Sequence, residues 1–163
     1  MKRPVRPSWT TIAVGLVVLG LLAFSVERGM SWREVRSNEA DERAASAAAV
    51  TQVEQLVGIS GSTADEDIER LLDGATGDFH AELESQIKRL QQVLADSKVK
   101  ATGEAVSTGV VTLTDDKASV IVAASGTVQN KDTDKAEPRN YRLKVDLVKM
   151  DGRWLISGLE FVA

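Results

Sequence analysis

The sequence predicts an α+β fold: about three helices packed on one face of a curved antiparallel sheet of about four strands, carried behind a single membrane-spanning segment. Three observations predict it. An uncharged run of 20 residues, Pro7 to Val26, stands near the start. The next stretch, to about Leu94, repeats its apolar residues at helical spacing. From Val99 onward the spacing turns to alternation, with Val, Thr and Gly prominent, which is the pattern of half-buried strands. Helices first and a meander after them is the order of an α+β domain.

The first element follows Lys2, Arg3 and Arg6. A helix of that uncharged length reaches about 30 Å, the thickness of a hydrocarbon core. Trp9, Ile12, Val14, Leu16, Val17, Val18, Leu19, Leu21, Leu22 and Phe24 would face lipid, with Trp9 at the interface. The strictly apolar part, Ile12 to Phe24, also suits a signal peptide, and Ala23-Phe24-Ser25 offers a cleavage site after Ser25. The length of the uncharged run and Trp9 favour an uncleaved anchor. Arg28, Arg33 and Arg36 nearly balance the basic tail. The wholly basic tail and the ease of exporting a long C-terminal portion favour a cytoplasmic N-terminus and an extracytoplasmic domain. The expected organisation is a tail over 1–8, an anchor over 9–26, a juxtamembrane helix over 27–58 and a domain over 59–163, which the end of the preceding helix joins.

Composition narrows the function. From Glu27 on the chain carries 17 basic and 24 acidic residues, a formal charge of −7. That argues against a nucleic-acid surface and against a polybasic grip on anionic lipid. There is no cysteine, hence no disulfide, lipid-attachment thiol or thiol nucleophile.

In the collar Glu27 to Arg36, Trp32 suits either the outer headgroup level or a contact on the next helix. Ser37 or Asn38 can cap a helix running to about Val57, alanine-rich in its middle, with Ala49, Val53, Leu56 and Val57 on one face. It could serve as a stalk or oligomer seam; the apolar residues at its C-terminal end favour packing on the domain. Gly58 to Ser62 breaks it. Thr63 and Glu66 have the spacing of a capping box, opening a short helix with Ile68, Leu71 and Leu72 on one side. A third helix from Asp78 shows Phe79, Leu83, Ile87, Leu90 and Leu94 as a stripe. Leu83, Ile87, Leu90 and Leu94 are expected to face the sheet opposite Tyr141, Leu143, Val145 and Leu147. Strands follow over Val99–Leu113, with Gly103 and Gly109 as bend or bulge points, and over Ala118–Gln129, Arg139–Lys149 and Trp154–Val162. Asp151-Gly152 is the tight hairpin between the last two.

The search for chemistry finds little. His80 is the single histidine and has no partner at recognisable spacing. Asp115-Asp116 sits in a hairpin turn, where an acidic pair is ordinarily solvated. Tyr141 and Asp146 fall on opposite faces of one strand. No metal, nucleotide or other cofactor motif is present, so no catalytic, cofactor or metal residues are assigned.

The basic tail, the span, the alanine-rich helix, LLDGATGDFHAEL (Leu71 to Leu83) and KMDGRWLISGLEFV (Lys149 to Val162) together resemble the actinobacterial Mce-associated membrane proteins. These are similar in fold to the cone-shaped NTF2-like superfamily and to the periplasmic domain of an inner-membrane component of type IV secretion systems. Ala75, Thr76, Gly77, Asp78 and Phe79, with Asp151, Gly152, Arg153, Trp154 and Leu155, carry the resemblance most specifically. Gly74 and Gly77 would allow the turn into the third helix, with Thr76 or Asp78 as its cap. The resemblance implies a non-enzymatic accessory of an Mce-type lipid importer at the cell membrane, with other proteins of that complex as partners and no catalytic residues. A lipid-binding module with its ligand in the cone is the second reading, and an NTF2-like isomerase or hydratase the third. A side-chain-filled cone favours the first, an open apolar pocket the second, and converging buried polar groups the third.

Overall fold

Alanine on a helix face lets the backbone come close to whatever it packs on. The first helix, α1 (38–57), uses this, placing Ala45, Ala49, Val53 and Val57 at steps of four, all buried against the sheet. The computed structural model describes residues 38–162. The collar with Trp32, the cap at Ser37 and the anchor residues from Trp9 to Phe24 lie outside the described residues. Among the described residues no helix is long and apolar enough to cross a membrane.

After α1 come α2 (Ala64–Asp73), α3 (Gly77–Asp96), β1 (Lys100–Leu113), β2 (Lys117–Gln129), β3 (Glu137–Met150) and β4 (Arg153–Phe161). The strands form one antiparallel sheet in the order β1-β2-β3-β4. Alternation sends Val120 and Val122 of β2, and Leu143, Val145 and Leu147 of β3, to the helix side, where they are fully buried with Ile156 of β4. Asp151 (φ 49°) and Gly152 (φ 79°) turn β3 into β4 through two consecutive positive φ angles, the geometry of a type I′ hairpin.

Three expectations are corrected. The helix opposite Leu143, Val145 and Leu147 is α1, not α3. Of the α3 stripe only Leu94 is buried, while Phe79, Leu83, Ile87 and Leu90 are half-buried, three of them (Phe79, Leu83 and Leu90) along a groove beside β4. The bulges of β1 are not at its glycines: the register shifts leave Val106 and Val111 as the extra residues. Gly103 instead allows a close approach, since a Cβ there would stand 2.2 Å from Val57 Cγ2. Helix capping also differs. Thr63 makes no side-chain cap; its hydroxyl donates to the buried Asp67 carboxylate at 2.6 Å, which also accepts from the Ser60 N–H at 3.2 Å. No side chain caps α3 from Thr76, and the turn into it is made by Gly77 at φ 62°.

The two outer strands are closed to different extents. At β1, Ser60 Oγ accepts from the Ala101 N–H (3.1 Å) and donates to the Ala101 carbonyl (3.2 Å). Further along, Glu54 Oε1 accepts from the Ala105 N–H at 3.0 Å, and the Val106 bulge follows. Side chains thus satisfy the outer edge of β1 at Ala101 and Ala105.

Candidate functional site

The two segments most specific in the sequence, Ala75–Phe79 and Asp151–Leu155, meet in space. The connector between α2 and α3 lies along β4: Ile156 N–H donates to the Gly74 carbonyl, and Thr76 N–H to the Ile156 carbonyl, both at 2.8 Å. Ala75 and Ile156 thereby form a parallel bridge. Arg153 closes the junction from the hairpin side, its guanidinium 2.8 Å from Asp73 Oδ2. Thr76 Oγ1 lies 3.3 Å from Met150 Sδ.

Two concavities flank this junction. One, of about 350 Å³, lies among α1, α2 and the start of β4, with Gln52, Gln55, Arg70, Asp73, Arg153 and Trp154 on its walls. Gln52 is buried and its Nε2 reaches the Arg70 carbonyl at 3.5 Å. Gly74 leaves the room for it, since a Cβ at that position would stand 1.5 Å from that nitrogen. Trp154 is 7% exposed, and Lys149 Nζ sits 5.6 Å from its ring centroid while holding Asp41 Oδ1 at 2.5 Å. That places a cation over an aromatic face and orders the hairpin against α1. Trp154 Nε1 and Gln55 Oε1 are buried with no protein partner among the described residues.

The second concavity is a groove of about 480 Å³ between α3 and the last turn of chain in β4. Phe79, Leu83, Leu90 and Leu159 give it an apolar floor, and Asp78 and Glu82 an acidic border. Neither of these carboxylates forms an ion pair among the described residues.

The residues weighed for chemistry do not converge. His80 sits in the first turn of α3, its N–H on the Thr76 carbonyl. Asp116 accepts from Thr114 Oγ1 within its turn. Tyr141 packs its ring 6.3 Å from that of Phe161, while Asp146, across the sheet, pairs with Lys144 at 3.2 Å. Among the described residues no group of three or more His, Cys, Asp or Glu side chains could hold a metal ion. The groove residues Glu82, Leu159 and Glu160 were missed by sequence reasoning. Leu159 and Phe161 alternate with Glu160 one position out of phase with Trp154 and Ile156, and that shift was the available signal of the bulge at Ser157 and of an apolar pair beyond it.

Comparison with known proteins places the chain. A family model described as uncharacterized protein Rv1363c/MT1408-like matches residues 8–163. The uncharacterized protein Rv1363c of Mycobacterium tuberculosis is 31% identical over 159 residues, covering 96% of this chain. The chain spans 61% of that relative's length. Among solved structures, CagV of Helicobacter pylori, a VirB8 homologue of a type IV secretion system, superposes with a TM-score of 0.58 at 8% identity, covering 74% of this chain and 98% of its own. An Ntf2-like protein involved in plasmid conjugation gives 0.51 at 14% identity, covering 75% of this chain and 49% of its own. At these identities the likeness is one of fold: three helices on a four-stranded antiparallel sheet, NTF2-like.

Proposed function

We propose, for this chain as a member of the Rv1363c/MT1408-like family, a function drawn from its geometry: a non-enzymatic, membrane-anchored accessory scaffold. Its anchor is the segment Trp9 to Val26, its domain is extracytoplasmic, and its partners are the proteins of an Mce-type lipid importer. One observation carries this reading. The sheet face that would line a catalytic cone is filled by α1, with Val53, Val120, Val122, Leu143, Val145, Leu147 and Ile156 all buried to 2% exposure or less. Reacting groups need a concave site with converging polar side chains, and that face is packed with aliphatic ones. The uncharged N-terminal run and the resemblance of the whole chain to transporter accessories supply the membrane and the partner class. The similarity in fold to proteins described as secretion and conjugation components supports a role within a multiprotein envelope assembly.

A membrane tether raises the local concentration of a weak partner without adding a contact. Exporting the chain from Glu27 onward behind an unrelated cleavable signal should therefore impair lipid uptake and loosen association with the importer. Full uptake by the untethered domain would contradict the proposal. The lipid-binding reading is favoured by the groove beside α3, whose volume is within the range of small-molecule sites.

A further inference from the structure

We propose that the free end of β4 is a docking edge for an extended segment of a partner protein, one that alternates basic and apolar residues and adds to the sheet as a fifth strand. The inference deepens the scaffold reading by naming the contact through which it would act.

The main chain supplies the first half of the case. Along β4, the outward N–H and carbonyl of Ile156 are taken by Gly74 and Thr76. Beyond it Ser157 is an extra residue, opposite the step from Asp146 to Leu147. Past that bulge Val162 N–H donates to the Arg142 carbonyl at 2.8 Å. Bonded and non-bonded pairs alternate along an antiparallel ladder. Glu160, paired with Lys144, is therefore the next bonded position, and the main-chain groups of Leu159 and Phe161 point to the outer edge. No strand among the described residues pairs with that edge. At β1, Ser60 and Glu54 satisfy the outward groups of Ala101 and Ala105, whereas among the described residues no side chain bonds the outward groups of Leu159 and Phe161. An unpaired edge of this kind is a template for strand addition.

The side chains supply the second half and choose the occupant. Phe161 is 66% exposed at this edge. On the helix face the groove alongside offers an apolar floor (Phe79, Leu83, Leu159) bordered by Asp78 and Glu82, while Glu160, paired with Lys144, stands on the opposite face of the strand. An extended peptide presents its side chains alternately, so apolar residues on the helix face can enter the floor while lysine or arginine on the other face meets Glu160. A fatty acyl chain would fill the floor, but it leaves the edge amides unbonded, and an anionic headgroup would be repelled by Asp78 and Glu82.

The test uses the full chain in detergent micelles and a blocked peptide of about nine alternating lysine and valine residues, the length of an ordinary strand. Binding should slow amide exchange at Leu159 and Phe161 by about tenfold or more, because an edge N–H becomes bonded. Phe161→Pro removes an outward N–H, which an edge strand tolerates, and should weaken binding by about tenfold, whereas Phe161→Ala should stay within about threefold. Glu160→Lys should weaken the basic peptide and favour a glutamate–valine one. Equal binding of both peptides by the native chain, unchanged exchange at the two amides, or no binding would overturn the proposal. So would displacement of the peptide by oleate, which would assign the groove to lipid, or Phe161-dependent self-association without peptide binding, which would assign it to a second copy. None of these readouts depends on lipid uptake, so this inference and the importer reading can fail separately.

Discussion

Val57 places its Cγ2 methyl in the space that the missing side chain of Gly103 leaves, 2.2 Å from where a Cβ would stand. This is the point at which the end of α1 is seated on β1. Gly103→Ala should therefore destabilise the protein by about 1–3 kcal/mol, the range for overpacking a filled core. Val57→Ala in that background should recover part of the loss, so a double-mutant cycle by urea unfolding would show coupling between the two positions. Additive losses would mean that α1 does not rest on Gly103.

The core lies between α1 and the sheet. Leu143→Ala should cost about 2–5 kcal/mol. Leu90→Ala, on the half-buried stripe of α3, should cost clearly less, about 1 kcal/mol, because its side chain loses less burial and leaves no closed cavity. Equal losses at the two positions would return α3 to the core.

The buried carboxylate of Asp67 gathers the loop before α2, accepting from Ser60 N–H and Thr63 Oγ1 and pairing with Arg70. Asp67→Ala leaves those donors without their acceptor and should cost about 1–3 kcal/mol. Thr63→Ala should cost less, since the Ser60 bond to Asp67 remains.

Lys98 holds φ 48° just past the end of α3, where its N–H reaches the Ala95 carbonyl at 3.1 Å. A left-handed residue at a helix end is ordinarily glycine, because a Cβ there is strained. Lys98→Gly should raise stability, by about 0.5–1 kcal/mol after the added freedom of the unfolded glycine is offset. A fall in the urea midpoint would mean that the lysine side chain makes a contact that outweighs the strain.

Much of the fold was legible, and the residues show why. Strand alternation at Tyr141, Leu143, Val145 and Leu147 names one face directly, and Asp151-Gly152 names the turn after it. The helices were harder. Periodicity reports which residues share a face, not what that face meets. The large residues of α3 drew the stronger expectation, yet small Ala45 and Ala49 permit the close approach that fills the sheet. Capping spacing at Thr63 and Glu66 was sound local grammar, but Asp67 offered a buried acceptor and took the hydroxyl. The meeting of Thr76 with Ile156 joins positions far apart in the chain, and no local pattern encodes it. The open edge at Leu159 and Phe161 follows from what does not pair with it, which only the assembled sheet reveals.

A scaffold of the kind proposed works by holding other proteins at the membrane. Co-purification of the tagged full chain from native membranes, with the recovered proteins identified by mass spectrometry, tests it most directly. The components of a lipid importer should be recovered with the native chain, and should be depleted when Met1 to Val26 is replaced by a cleavable signal. Recovery of the chain alone from both preparations, with lipid uptake intact in each, would contradict it.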